Sequence, residues 1–199
     1  MSVLAIAAKE LALYFTSLVF YALAAVFLAL SGYLFYTNLD FYVRFGGMNL
    51  VLGLWQYQFY DMRQLLLVLV PLLTMRLFAE ERRLGTLELL WTYPLRDVEI
   101  IAGKFLACFL VLLAIILPTF AYPLLLSRYQ EIAWGPLCAG YLGLLLLAAA
   151  FSACGLFLSA LTDSQLVAGA ATYGLLLFAL VFLAFTFLAL DSRRWRGLR

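Results

Sequence analysis

Long uninterrupted apolar runs constrain the fold of this chain more than any other feature of its sequence. A helix needs about 20 predominantly apolar residues to cross the hydrocarbon core of a bilayer. Of the 199 residues, 67% are hydrophobic and only 12% are charged, whereas soluble domains have about 45–50% apolar and about 25% charged residues. A soluble fold of this length cannot bury that much apolar surface. The sequence therefore predicts an all-α, polytopic membrane protein.

The apolar runs predict five transmembrane helices in a single domain that covers residues 1–199. Residues 3–15 are interpreted as an N-terminal interfacial helix. The spans are predicted at about 17–36, 63–79, 101–122, 136–160 and 166–190. Residues 37–61 mix polar with aromatic side chains, and Tyr and Trp favour the headgroup level. They are predicted to form an outer loop along the membrane, with a short helix near 49–60.

The second predicted span contains a proline, Pro71. A proline inside a transmembrane helix is tolerated when a neighbouring hydroxyl satisfies the carbonyl that it leaves free, and Thr74 is close enough to help. Pro71 and Thr74 therefore predict a bend in span two.

Charge is concentrated in one cytoplasmic segment. Ten charged residues fall within residues 76–104, although the whole chain has only 13 basic and 11 acidic residues. The basic ones place this segment in the cytoplasm under the positive-inside rule. Within residues 80–98, Gly85 breaks the preceding helix, Thr86 can cap a new one with Glu88 in its first turn, and Pro94 stops it. The segment is either a solvated loop or a docking helix for a cytoplasmic partner.

The residue inventory argues against catalysis on this chain. There is no histidine, so His-based triads and His-ligated metal sites are excluded. Cys108, Cys138 and Cys154 lie in apolar runs without CxxC spacing and are interpreted as buried thiols. Phe105 follows Gly103-Lys104 where a P-loop needs Ser or Thr, so Lys104 is interpreted as an interfacial lysine. No catalytic, cofactor-binding or metal-ligating residues are predicted.

Two functions other than transport across the membrane stay open. No pair of carboxylates lies within a predicted span, so an intramembrane enzyme is the least favoured. A non-transporting scaffold or assembly subunit is the other alternative. No span shows a clear central charge, which argues against a buried ion site and for a lipidic, amphipathic or large substrate.

Four segments of the chain resemble the ABC-2 type exporter permeases, and most closely the gliding-motility-type branch. The longest are PLLTMRLFAEERRLGTLELLWTYP at 71–94 and EIIAGKF at 99–105. AKELALYF at 8–15 resembles the family's entry helix, and SRRWR at 192–196 resembles its cytoplasmic tail. Members of this branch have six spans, so the single run at 166–190 leads us to expect a shortened C-terminal part.

The resemblance implies a permease subunit in the bacterial inner membrane. It would pair with a second permease subunit, as a homodimer or heterodimer, and with a cytoplasmic ABC ATPase that holds ATP and Mg. The chain itself would then be no enzyme, would hold no cofactor and would bind no nucleic acid. Residues 80–98 would form the coupling segment that contacts the ATPase. The residues expected to contact this partner are Glu80, Glu81, Arg82, Arg83, Gly85, Thr86, Glu88 and Pro94.

Two rules place the C-terminal tail on opposite sides of the membrane. Five crossings from a cytoplasmic N-terminus leave the tail outside, but its four arginines favour the cytoplasm. Because early loops usually dominate orientation, the sequence predicts an outward-facing tail.

Overall fold

The computed structural model describes residues 3–45, 50–77, 97–129, 131–162 and 164–196. Throughout these ranges the regular structure is helical, with no strand, so the all-α prediction is confirmed. The helices are α1 (Val3–Thr16), α2 (Leu18–Phe45), α3 (Leu50–Thr74), α4 (Asp97–Ile116), α5 (Ala121–Leu126), α6 (Trp134–Leu161) and α7 (Gln165–Arg196). A short 3₁₀ turn, Leu117–Phe120, joins α4 to α5, with Pro118 at its start.

Four helical stretches of the described chain are long and apolar enough to cross a membrane: Leu18–Arg44, Val98–Leu126, Trp134–Leu161 and Gln165–Leu183. They lie over the first, third, fourth and fifth predicted spans. The second predicted span, 63–79, overlaps the end of α3, which finishes at Thr74. α3 is not among the four, because Asp61, Arg63 and several glutamines lower its hydropathy. The crossing of the bilayer by the second predicted span stays a prediction.

The outer loop predicted at residues 37–61 is wrong for residues 37–45, which are helical, whereas the short helix predicted near 49–60 is present from residue 50 onward. α2 continues to Phe45 and α3 already begins at Leu50. Polar side chains within the two helices find partners there: Asn38 Nδ2 donates to Asp61 Oδ2 at 2.7 Å, and Arg44 pairs with Asp40 one turn away at 2.8 Å. Because these groups are satisfied by neighbouring helical residues, their polarity does not break the helices.

α3 lies at the centre of the packing and contacts α2, α6 and α7. Met62, Leu66 and Val70 on this helix are fully buried. The approach of α6 depends on Gly155, since a Cβ there would lie 2.3 Å from Thr74 Oγ1. Close backbone approach at small residues is the usual way in which membrane helices associate, so Gly155 serves packing within this chain.

The helices define two ends of the molecule. We call the end where α3 finishes and α4 begins the coupling end, because residues 78–96 connect the two helices there. The opposite end, where α2 finishes and α3 begins, is called the far end. α1 packs along α4 and belongs to the coupling end.

Candidate coupling site

The eight residues predicted to contact an ATPase, between Glu80 and Pro94, all lie outside the described residues. Their predicted role stays a prediction. The structure does describe both points at which this segment joins the helices: the turn that ends at Leu77, and α4, which begins at Asp97.

A buried lysine connects these two points to the entry helix. Lys104 Nζ donates to Glu10 Oε1 of α1 at 3.0 Å and to the carbonyl oxygen of Leu77 at 2.8 Å. Lys104 is 1% exposed and Glu10 is 6% exposed. We call this arrangement of Glu10, Lys104 and the Leu77 carbonyl the clamp. It holds three separate elements together beside the predicted coupling segment.

The local sequence explains why α1 and α4 come close enough to form the clamp. Gly103 precedes Lys104, and a Cβ at Gly103 would lie 2.7 Å from Ile6 Cγ2 and 3.2 Å from the Val3 carbonyl oxygen. Any side chain at Gly103 would therefore push α1 away. Leu77 supplies an acceptor because it follows the end of α3, where helix carbonyls lack intrahelical partners.

Two hydroxyl groups bond to the last turns of α3. Tyr14 of α1 donates its hydroxyl to the Leu73 carbonyl at 3.0 Å. Thr74 Oγ1 donates to the Val70 carbonyl at 2.9 Å, and not to the Leu67 carbonyl, which Pro71 deprives of its usual amide donor. The predicted bend at Pro71 and Thr74 stays a prediction. The end of α3 is thus bonded to α1 at Leu73, and the turn that follows it is bonded to α4 at Leu77.

The clamp is a buried ion pair that resists separation. An ion pair shielded from water is costly to break, since removing one partner of a buried pair costs about 3–5 kcal/mol. No group of three or more Cys, Asp or Glu residues in the described part of the chain is placed to hold a metal ion.

A family model described as ABC-2 family transporter protein matches residues 4–190. The chain belongs to this family. It is a multi-pass membrane protein with a transporter-family domain along nearly its whole length. No curated protein and no solved structure matches it. The matched range includes Glu10, Leu77 and Lys104, so the clamp is part of the ABC-2 family domain.

The side chain of Lys104 is buried and paired, which its interpretation as an interfacial lysine did not predict. The signal for this pairing was present in the sequence: Lys104 is the only charged residue within 100–116. Glu10 and Lys104 also lie in two of the segments that carry the resemblance. The contact between them could not be predicted, because they are 94 positions apart and helical periodicity relates only near neighbours.

Proposed function

We propose that this chain is the transmembrane permease subunit of an ATP-driven ABC exporter of the gliding-motility-type branch. It resides in the inner membrane of a bacterium and pairs with a second permease subunit. A separate cytoplasmic ABC ATPase binds ATP and Mg and hydrolyses the nucleotide. This chain converts the resulting movement into passage of a substrate across the membrane.

The clamp is the observation that carries this proposal. A coupling segment works only when its displacement reaches the spans on both sides without being lost in a flexible hinge. Lys104 lies eight residues after residue 96, and Leu77 is the residue just before residue 78. The buried ammonium group of Lys104 is bonded both to the Leu77 carbonyl and to Glu10 of α1. A push on residues 78–96 therefore reaches α3, α4 and α1 together.

The docking role of residues 80–94 can be tested by reversing one charge. The tagged chain is purified from its native membranes in mild detergent, and bound subunits are identified by mass spectrometry. We expect a P-loop ATPase in stoichiometric amount, with ATP hydrolysis in the same fraction. Glu88→Arg should reduce both about tenfold or more, since a tenfold loss corresponds to only about 1.4 kcal/mol of binding energy.

Glu131→Arg is the matched control, because it makes the same change at an exposed residue of the far end. It should leave ATPase recovery unchanged, and both variants should insert into the membrane in normal amount. Full recovery of the ATPase with both Glu88→Arg and Gly85→Pro would reject the docking role. A stably folded chain from which no ATPase is ever recovered would favour the scaffold reading.

A further inference from the structure

An arginine lies halfway along α3, where the predicted span boundaries had placed it at a helix end. At 1.5 Å per residue, Arg63 is about 20 Å from the start of Leu50–Thr74 and about 16 Å from its end. It is only partly exposed. An ionisable residue within a membrane bundle is costly and normally has a functional partner.

Arg63 has no counter-charge in the part of the chain that the structure describes. No carboxylate there lies within ion-pair distance of it, and its Nε has no hydrogen-bond partner. The nearby carboxylate of Asp61 instead accepts a bond from Asn38 on α2. The guanidinium carbon lies 4.7 Å from the ring centre of Tyr60, one turn closer to the far end.

Arg63 lines a groove between α3 and α6. One cavity of about 340 Å³ is lined by Gln56, Phe59, Tyr60, Arg63, Gly140, Gly143, Leu144 and Leu147. A second cavity of about 340 Å³ is lined by Trp55, Gln56, Phe59, Ala133, Pro136, Leu137 and Gly140. The two cavities adjoin each other and share Gln56, Phe59 and Gly140 in their linings. We call this pair of cavities the α3–α6 groove.

The groove combines a few polar donors with apolar walls. Trp55 is 5% exposed, and its indole N–H has no acceptor among the described residues. Gln56 and Arg63 offer further donors. The remaining lining is aliphatic and aromatic. Such a surface matches a ligand with an anionic, acceptor-rich head and apolar chains, because guanidinium groups bind phosphate in a bidentate manner.

The depth of Arg63 identifies the source of that ligand. Tyr57 and Tyr60 on the same helix are more than half exposed, and exposed tyrosines on membrane proteins favour the headgroup level. Helical side chains lean toward the N-terminus of their helix, so Arg63 reaches toward these tyrosines. Its guanidinium can therefore reach a phosphate just below the headgroup region of the adjoining leaflet.

We propose that the α3–α6 groove is a binding site for an anionic phospholipid, with the phosphate at Arg63 and an acyl chain along α6. Gly143, Leu144 and Leu147 of α6 line the cavity at Arg63 and give that chain an apolar wall. This inference goes beyond the proposed function and does not depend on it, since lipid binding is a property of this chain without its ATPase.

The test uses the full chain with Trp55 as its only tryptophan, which requires Trp91, Trp134 and Trp195 to be replaced by Phe. The purified protein in detergent is titrated with phosphatidylglycerol that carries brominated acyl chains, which quench nearby tryptophan fluorescence. We expect saturable quenching at about one lipid per chain. Brominated phosphatidylcholine, which has no net charge, should need about tenfold more lipid, equivalent to about 1.4 kcal/mol.

Arg63→Gln should abolish the preference for the anionic lipid. The matched control is Arg44→Gln, which removes the same charge from an exposed arginine at the far end and should keep the preference. Gly143→Leu tests the site without changing charge. A Cβ at Gly143 meets nothing within 4 Å, so this variant folds normally while its side chain fills the groove, and quenching by phosphatidylglycerol should fall.

Three results would overturn the proposal. Equal quenching by the two lipids would show a non-specific lipid belt. An unchanged preference in both Arg63→Gln and Gly143→Leu would place the lipid elsewhere. If Arg63→Gln leaves quenching intact but separates two copies of the chain in native mass spectrometry, the counter-charge of Arg63 belongs to a second subunit.

Discussion

At the residue scale, the clamp contains a charge that is stabilised only by its partners. Lys104→Met would leave the Glu10 carboxylate buried without a counter-charge, although methionine fills a similar volume. Breaking a buried pair from one side costs about 3–5 kcal/mol, whereas replacing both partners with apolar residues is often neutral or stabilising. We therefore expect Lys104→Met to lower the thermal midpoint of the purified protein clearly. Glu10→Leu combined with Lys104→Met should restore most of the loss.

The double variant separates stability from coupling. It regains packing, but nothing then donates to the Leu77 carbonyl in place of the lysine ammonium. ATP hydrolysis by the assembled complex should therefore lose its response to the permease while assembly stays normal. A double variant with normal stability and a fully normal ATPase response would show that the clamp is only structural. If Lys104→Met alone leaves the thermal midpoint unchanged, the buried ion pair does not exist in the membrane.

At the scale of the single helix, α3 connects the α3–α6 groove to the clamp, and Pro71 lies between them. Pro71 has no amide hydrogen, so the Leu67 carbonyl lacks its helical donor and the helix is locally weakened. Pro71→Ala should restore this bond and stiffen the helix. We expect slower amide hydrogen exchange over residues 67–77 and a reduced ATPase response, with assembly unaffected.

Pro136→Ala is the control for Pro71→Ala. Pro136 lies in the first turn of Trp134–Leu161, where backbone N–H groups lack helical acceptors in any case. This change should alter neither measurement. If Pro71→Ala has no effect on hydrogen exchange or on ATP hydrolysis, α3 does not bend at Pro71 during coupling.

The helices that the sequence predicted best are those whose apolar runs are long. The predicted bounds of the third, fourth and fifth spans lie within about six residues of the bounds of α4, α6 and α7. A long apolar run identifies a membrane-spanning helix from hydropathy alone. The loop prediction failed for residues 37–45 because it counted polar residues without knowing their partners. The hydrogen bond between Asn38 and Asp61, like the clamp, joins residues distant in sequence and emerges only from helix packing.

At the scale of the whole molecule, the two candidate sites lie toward opposite ends of one bundle. The clamp gathers α1, α3 and α4 at the coupling end, and the α3–α6 groove opens toward the far end. α2 and α7 contribute mainly exposed apolar surface, with side chains such as Leu30 and Phe178 facing outward. Such faces suit contact with lipid or with another membrane subunit. Movement at the clamp would therefore reach the groove through α3.

The course of α7 decides where the C-terminal tail is expected. α7 starts at the coupling end, where a Cβ at Gly169 would lie 3.2 Å from Met75 Sδ. It then runs as a helix to Arg196, a rise of about 47 Å at 1.5 Å per residue. Its last turns are thus directed toward the far end, which is outside if the coupling end is cytoplasmic. The arginines of the tail favour the opposite side.

The conflict can be resolved by labelling a cysteine added after Arg199 in a chain whose three native cysteines are replaced by alanine. We expect it to react with a membrane-impermeant thiol reagent in intact cells, because the early basic residues and the direction of α7 outweigh the tail charges. Tyr129→Cys, at an 88% exposed position between α5 and α6, reports the far end independently. If Tyr129→Cys reacts in intact cells but the tail reacts only after permeabilisation, α7 does not carry the chain across. The tail would then lie in the cytoplasm, and the count of five crossings would be wrong.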